Sequence, residues 1–345
     1  MWILYTIIII FFVLLVISKL IIHLIFGKRC EGNPNLNYFT ADDFDELNSE
    51  PIEFKSDKEQ ILRGYVYTNK NIEEYKGLIV FVHGMGAGHL SYTTEINTLA
   101  KYGFKVLSYD NTGTCMSEGK SLKGFFQSVI DLKHALNFIK KDENLNKYEI
   151  SLVGHSWGAY TVCQILQFES NIKSVVAFSG PNNSSNIICD LMGGGKINFR
   201  FLKPFFDIIN LLTFGPKSLT NTVDILKATE VPVLLLHGDS DTTCSVKNSL
   251  LANENDFSEK KNIKTVLLKN RFHNVYQTQE SEKYLNEVFG KINELIKKYK
   301  GKELEEKVNP IYKNIDYQKI TEEDKEIMNM VIDFMNVDKA NNYMR

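Results

Sequence analysis

Cysteine is scarce in this chain, with five residues in 345, and no two of them form a C-x-x-C pair. An odd and scattered set favours free thiols in a reducing compartment over a disulfide framework or a zinc site. No sign of charge dominates either, since 40 basic and 42 acidic side chains leave a net charge of −2. The sequence therefore lacks the basic character of a nucleic-acid-binding domain, and we expect neither a metal nor a nucleic-acid partner.

Proline is also scarce, with seven residues, whereas 43% of the chain is hydrophobic. That share of apolar residues is ordinary for a folded protein and is enough for a sizeable core. The length exceeds that of one average domain. Without its first thirty residues or so, the chain can still form one large α/β domain with an insertion.

A long hydrophobic run opens the chain. Residues 2–26 are almost wholly apolar, and Lys19 is their only Lys, Arg, Asp or Glu. A spanning helix needs about 20 apolar residues, and this run is long enough if Lys19 snorkels toward the headgroups. We predict an uncleaved transmembrane anchor over residues 1–30. A signal peptide is disfavoured because the start carries no side-chain charge, the run is too long and no small-residue cleavage site follows.

Charge predicts the orientation of this anchor. Lys28 and Arg29 follow the apolar run, and no Lys or Arg precedes it, so the positive-inside rule places the rest of this single-pass protein in the cytoplasm. Two overlapping N-x-S sequons, at Asn182 and Asn183, point the other way. Such triplets are common by chance in a chain rich in asparagine, so the cytoplasmic prediction stands.

Beyond a polar, acidic linker predicted over residues 31–49, short apolar runs alternate with helical patterns. Such runs, bounded by turn residues, indicate buried strands, and their alternation with helices indicates a mostly parallel sheet. The predicted strands are 51–54, 61–68, 78–82, 105–109, 150–153, 174–178, 231–236 and 264–268. The predicted helices are 92–102, 122–141, 157–168, 247–253 and 279–299. The first two of these eight strands form a predicted hairpin.

Two segments depart from the alternation. Residues 181–230 fall between the sixth and seventh strands, where an insertion can lie over the C-terminal edge of the sheet and its ligand, and we predict a cap there. Residues 301–345 form a charged tail, which we predict to be helical and packed on the domain surface. Its amphipathic stretch places four apolar residues at helical spacing: Ile327, Met330, Val331 and Phe334.

The strongest chemical signal is a G-x-S-x-G pattern around Ser156. It directly follows the apolar run 150–153 and precedes a helical run, which is the strand–turn–helix context of a nucleophile elbow. A serine on such a strained turn needs small neighbours, and Gly154 and Gly158 provide them. The helix that begins here also directs free N–H groups at developing negative charge.

With this motif the chain resembles the α/β-hydrolase family, near its monoacylglycerol-lipase and serine-aminopeptidase-like members. The resemblance covers about residues 51–298 and includes the sequence FVHGMG at 81–86. It also includes residues 110–119, which are similar to the family's D-x-R-G-x-G-x-S-x-G loop. Thr112 and Cys115 replace the usual Arg and second Gly of that loop, so we expect it to be built differently.

The resemblance implies an α/β-hydrolase fold over residues 50–300. This fold is an eight-stranded, mostly parallel sheet with a helical cap, here preceded by one N-terminal transmembrane helix. Epoxide hydrolases and haloalkane dehalogenases of this fold use an Asp nucleophile, so Ser156 disfavours both classes. Neither a metal nor an organic cofactor is needed for the chemistry of a serine nucleophile.

A serine nucleophile needs a base, and the base needs an orienting acid. In this fold they follow in the order Ser, acid, His. The similar family uses the last Asp of H-G-x-x-D, which is Asp241 here, with Asp239 as the alternative. His273 is the only histidine beyond His237 and is the predicted base, although Phe272 replaces the usual preceding Gly.

Two backbone donors are expected to form the oxyanion hole. One is the N–H of Trp157, directly after the nucleophile, and the other is the N–H of Met85, after His83 and Gly84. We expect His83 to brace its loop. We expect His155 to pack or form hydrogen bonds beside the nucleophile.

The acyl substrate is less constrained. An aminopeptidase needs carboxylates near the site to neutralise a substrate ammonium, whereas the predicted cap is slightly basic. The cap's many apolar residues suit an acyl chain, but core packing explains them equally well. We predict a carboxylic-ester hydrolase of lipase, lysophospholipase or esterase type. The alternatives are an aminopeptidase, an acyltransferase or thioesterase, and a non-catalytic scaffold with this fold. The apolar cap residues are Phe199, Phe201, Leu202, Phe205, Phe206, Ile208, Ile209, Leu211, Leu212 and Phe214.

Overall fold

A computed structural model describes residues 1–86, 88–193 and 199–336 of the chain. Its centre is an eight-stranded sheet in the order β1-β2-β4-β3-β5-β6-β7-β8. The strands are β1 Leu47–Lys55, β2 Ile61–Asn69, β3 Leu78–Val82, β4 Lys105–Tyr109, β5 Ile150–His155, β6 Ser174–Phe178, β7 Val233–Gly238 and β8 Ile263–Leu268. Strands β1 and β2 form an antiparallel hairpin, β2 pairs antiparallel with β4, and β3 to β8 run parallel. The predicted mostly parallel sheet of eight strands is confirmed.

Helices cover both faces of the sheet, which is why the central strands are apolar along their whole length. They are α1 Trp2–Phe26, α2 Thr93–Lys101, α3 Gln127–Lys141, α4 Trp157–Gln164, α5 Ser184–Gly193, α6 Lys203–Phe214, α7 Thr222–Ala228, α8 Gln279–Lys298, α9 Gly301–Lys313, α10 Tyr317–Ile320 and α11 Lys325–Asn336. One apolar core includes Leu132 of α3 and Ala159 of α4. The core on the other face includes Leu99 of α2 and Val331 of α11.

The predicted helix over residues 247–253 is wrong. Only a single 3-10 turn forms there, at Val246–Asn248. After it the chain extends, because Ser249 bridges to Pro181 and Leu250 donates its N–H to the carbonyl of Gly180. These tertiary hydrogen bonds replace those that a helix would make.

Helix α1 is long and apolar enough to span a membrane. Side chains from Trp2 to Val13 are exposed, whereas the second half of the helix packs on the domain. Phe26 is buried against Phe125, and the ring of Phe11 lies 5.3 Å from that of Phe205 on α6. The N-terminal helix therefore touches the insertion that follows β6.

The C-terminal region packs along the domain. Helix α11 buries Ile327 and Val331 against the core that contains α2. A third apolar cluster joins α8 to α9, with Val288 of α8 near Val308 and Tyr312 of α9. The last part of the predicted tail, residues 337–345, lies outside the described residues.

Candidate active site

Ser156 occupies a sharp turn between β5 and α4. Its backbone has φ 55° and ψ −112°, a conformation that costs energy for a residue other than glycine and is found at functional turns. The turn closes only because its neighbours lack side chains. A Cβ at Gly158 would collide with the carbonyl O of Val82, and a Cβ at Gly154 would collide with the backbone of Gly158. The G-x-S-x-G spacing thus has a steric cause.

Two backbone N–H groups beside this turn are free to bind an anion. Trp157 is the first residue of α4, so its N–H has no intrahelical acceptor. Within the described residues, neither this N–H nor that of Met85 donates a hydrogen bond. The loop before Met85 is held by His83, whose Nε2 accepts the N–H of Asn111 at 3.0 Å. The expected bracing role of His83 agrees with this contact.

His273 and Asp241 meet at the same edge of the sheet, since they follow β8 and β7. The His273 Nδ1–H donates to Asp241 Oδ2 at 2.7 Å, and Asp241 Oδ1 accepts the N–H groups of Thr243 and Cys244 at 2.8 and 2.9 Å. Burial opposes ionisation of Asp241. The hydrogen bonds from His237 and His273 outweigh it and lower the pKa of Asp241. The carboxylate is therefore ionised at neutral pH and holds the imidazole with Nε2 free.

The other acid considered, Asp239, points elsewhere. Its carboxylate accepts the N–H of Asn270 and the O–H of Ser240.

In the part of the chain that the structure describes, no hydrogen bond joins Ser156 Oγ to His273, although both residues line one cavity. Such catalytic hydrogen bonds are often long in ligand-free structures and shorten on binding.

Comparisons with known proteins bear on the fold. Residues 73–189 match the model of a family described as serine aminopeptidase, S33. An esterase from Pyrococcus furiosus has a similar structure, with a TM-score of 0.55 and 20% identity, covering 79% of this chain and 99% of that one. The chain has the α/β-hydrolase fold. The α/β hydrolase GrgF from a Penicillium species is also similar, with a TM-score of 0.50 and 15% identity, covering 70% of this chain and 97% of that one. No curated protein matches the sequence.

The family match spans β3 to α5, so it includes the serine turn but ends before Asp241 and His273. Both comparisons support the α/β-hydrolase fold. Identities of 20% and 15% carry the fold and no finer assignment.

The residue before the serine holds the loop of His273. His155 Nε2 lies 3.1 Å from the His273 carbonyl O, which also accepts the Ser179 O–H at 2.6 Å. On its other side, His155 Nδ1 lies 2.8 Å from the hydroxyl of Tyr92. Burial and the nearby His273 lower the pKa of His155 to about 3. His155 is therefore neutral, with Nε2–H donating to the carbonyl and Nδ1 accepting from Tyr92.

The loop at residues 110–119 is held by contacts with Asp131 and Arg29. Thr112 donates its N–H and its hydroxyl to the buried carboxylate of Asp131, at 2.7 and 2.8 Å. Arg29, just after α1, donates to three backbone carbonyls of the loop, each at 2.8 Å. Those carbonyls belong to Cys115, Ser117 and Gly119. The end of the predicted anchor segment, residues 1–30, thus supports this loop.

The cavity above Ser156 has a volume of about 600 Å³. The insertion after β6 contributes only Pro181 and Ile187 to the described lining. None of its described phenylalanines lines the cavity. Phe205 and Phe206 are buried in the core and Phe201 is exposed, so the structure favours core packing over an acyl site for the two buried rings. Part of the remaining wall comes from segments whose role the sequence did not indicate: Leu36, Asn37, Tyr38, Phe39, Leu285, Phe289, Tyr317, Ile320 and Thr321.

The cavity wall carries no formal charge. No Asp, Glu, Lys or Arg is among its described lining residues, and most of the surface is apolar. Tyr92, Ser179 and the C-terminal residues of the site had no recognisable signal in the sequence, because each acts through a contact with a distant segment.

Proposed function

We propose that this chain is a membrane-anchored serine hydrolase that cleaves carboxylic esters. The observation that carries the proposal is a serine on a strained strand-to-helix turn that lines one uncharged cavity with His273, whose imidazole is bonded to the buried Asp241. The roles are Ser156 as nucleophile, His273 as base and Asp241 as orienting acid. These are the parts that acyl transfer through a covalent intermediate requires.

The reaction proceeds in two halves. His273 Nε2 takes the proton of Ser156 Oγ as that oxygen attacks the ester carbonyl, while Asp241 keeps the proton on Nδ1. The N–H groups of Met85 and Trp157 stabilise the oxyanion. His273 then protonates the leaving alkoxide, which leaves an acyl-enzyme. Water activated by His273 attacks it and releases the acid, and no metal or organic cofactor takes part.

The uncharged wall favours an ester over a peptide with a free amino terminus. Such a peptide brings an ammonium group close to the scissile bond, and burying that charge without a carboxylate is costly. The family match favours the second candidate, an aminopeptidase. Under that alternative, a carboxylate outside the described lining would have to reach the substrate.

Helix α1 supports the membrane part of the proposal. It presents a long apolar surface with Trp2 at its free end, and Lys28 and Arg29 follow its other end. This arrangement suits a single span with the catalytic domain in the cytoplasm. We expect the full chain to remain in membrane pellets after carbonate extraction and a chain that starts at Lys28 to be released. Release of the full chain by carbonate would contradict the anchor.

A fluorophosphonate probe tests the nucleophile. We expect the probe to label the wild type and not the Ser156→Ala variant. Ser91 is the only other serine among the described cavity residues, so Ser91→Ala is the matched control and should remain labelled. Labelling that survives in Ser156→Ala would reject the assignment. A wild type that is neither labelled nor active would favour the non-catalytic scaffold.

Substrate panels separate the remaining classes. p-Nitrophenyl esters and aminoacyl-naphthylamides are assayed side by side, and we expect cleavage of the esters. Exclusive cleavage of the amides would establish the aminopeptidase instead. Product analysis with an added alcohol identifies an acyltransferase, because a new ester then appears in place of the free acid.

A further inference from the structure

We propose that residues 316–324, here called the C-terminal brace, belong to the active site. The brace holds the loop that carries His273, and its residue Ile320 limits the length of the acyl chain. The inference rests on the proposed ester hydrolysis and assigns a specificity-determining residue and a positioning residue to that reaction. Both lie beyond the segment matched by the family model.

The brace runs alongside the chain that follows His273. Gln277 and Glu323 form an antiparallel bridge. Two backbone hydrogen bonds form this bridge, Thr278 N–H to Glu322 O and Asp324 N–H to Tyr276 O, both at 2.9 Å. The Gln277 side chain adds a third bond, from Nε2 to Ile320 O at 2.9 Å. Most of these bonds use backbone groups, so the brace fixes the path of the main chain just after the proposed base.

An ion pair between the buried Arg271 and the partly buried Asp324 ties the brace to the other side of the same loop. The Arg271 side chain is 7% exposed and donates from Nη1 to Asp324 Oδ2 at 2.7 Å. Arg271 also contacts Glu282 Oε2, which accepts the Phe272 N–H at 3.1 Å. Arg271 and Phe272 directly precede His273. Removing the Asp324 carboxylate would leave Glu282 as the carboxylate partner of the buried Arg271 guanidinium. An incompletely paired buried charge is costly, and its loss of a partner frees the loop to move.

The brace also forms part of the cavity wall. Tyr317, Ile320 and Thr321 line the same cavity as Ser156 and His273. Ile320 is 8% exposed and packs in the apolar cluster of α8 and α9. Its own carbonyl is bonded to Gln277, so its side chain is held at a constant position relative to the His273 loop. A rigid branched side chain in an uncharged wall sets how much acyl chain can enter.

The first test compares acyl-chain preference in two matched variants of the full-length protein. Ile320→Ala enlarges the cavity, and Ile315→Ala removes the same atoms from the same apolar cluster at a residue that does not line it. With p-nitrophenyl esters from acetate to palmitate, we expect Ile320→Ala to raise the ratio of kcat/KM for long over short chains about tenfold. Ile315→Ala should keep the wild-type ratio.

An unchanged ratio in Ile320→Ala would overturn the specificity assignment, as would an equal change in Ile315→Ala. These results differ from a failure of the proposed function. If the wild type does not cleave esters, or if Ser156→Ala cleaves them as well, the reaction itself is wrongly assigned.

The second test concerns positioning. Asp324→Asn should lower kcat for a short ester about tenfold with little change in KM, since the base is displaced while the cavity remains. Asp324→Glu should recover much of that loss. Glu326→Gln, at an exposed position in the next turn, is the control and should match the wild type. If Asp324→Asn lowers the melting temperature but leaves kcat unchanged, the Arg271–Asp324 ion pair only stabilises the fold and does not position His273.

Discussion

His155 Nε2 lies 3.1 Å from the backbone carbonyl O of His273, so the residue before the nucleophile is bonded to the residue proposed as base. The same imidazole contacts the Tyr92 hydroxyl, which accepts the Gly84 N–H at 3.0 Å. Three loops that are distant in sequence are thereby joined by buried hydrogen bonds. Because buried polar groups are costly to leave unpaired, this link favours one relative position of nucleophile, base and oxyanion loop.

Replacing His155 tests that link. His155→Phe keeps a ring among Tyr92, Tyr276 and His273 but removes both hydrogen bonds. We expect kcat to fall about tenfold with KM nearly unchanged, because the base is held less well while the cavity keeps its shape. Steady-state kinetics on a short ester measure both constants. A variant with wild-type kcat would show that the link does not position His273.

The identity of the acid is tested by a pair of isosteric variants. Asp241→Asn removes the charge that selects the Nδ1–H tautomer of His273, and we expect a loss in kcat of about 10³ to 10⁴. Asp239→Asn changes a carboxylate that bonds to Asn270 and Ser240 and should keep most of the activity. The reverse order of these two effects would transfer the role to Asp239.

Replacing glycine by alanine should have opposite effects on stability at Gly158, beside the serine turn, and at Gly290, inside α8. Gly158→Ala forces a collision with the Val82 carbonyl, so we expect a loss in the free energy of unfolding of about 3 kcal/mol and no esterase activity. Gly290 lies inside α8 with open space around its Cα. Gly290→Ala should therefore stabilise the protein by about 0.5–1 kcal/mol with activity retained. Chemical denaturation measures both changes, and a stable, active Gly158→Ala enzyme would contradict the steric argument.

Glu323 makes folding stability depend on pH. Burial raises the pKa of Glu323 from 4.5 to about 7, against the hydrogen bond from Thr98 and the charge of Lys101. The folded state thus holds a proton that the unfolded state releases, and this contribution to stability is lost as the pH rises from about 4.5 to 7. The loss is at most about 3 kcal/mol.

In Glu323→Gln, we expect the unfolding free energy to change little between pH 5 and 8 and to stay near the value that the wild type has at low pH. The exposed Glu326→Gln is the control and should follow the wild type. Parallel profiles for wild type and Glu323→Gln would show that the carboxyl group does not titrate in this range. Glu95, which is buried near Glu323 and also has a raised pKa, would then be the next group to replace.

Local patterns in the sequence determined much of this architecture. The central parallel strands are covered on both faces, so they appear as continuous apolar runs, and their predicted bounds agree with the structure to within two residues. The serine turn is equally local, since its close approaches require glycine at positions 154 and 158. The first strand was predicted to begin at Pro51 but begins at Leu47. Its early residues are largely polar because an edge strand is exposed.

Only the tertiary structure decided which residues surround the serine. Apolar side chains in the insertion fit a core or a ligand site equally well as a pattern. Contact with α1 and the domain buries Phe205 and Phe206, whereas Phe201 and Leu212 are exposed. Conversely, Ile320 and Asp324 lie in a charged C-terminal segment that looks like solvated surface until its partners are known. Their roles arise from burial and hydrogen bonding to the loop of His273. A local sequence pattern does not encode such contacts, because they depend on which distant segment the fold brings alongside.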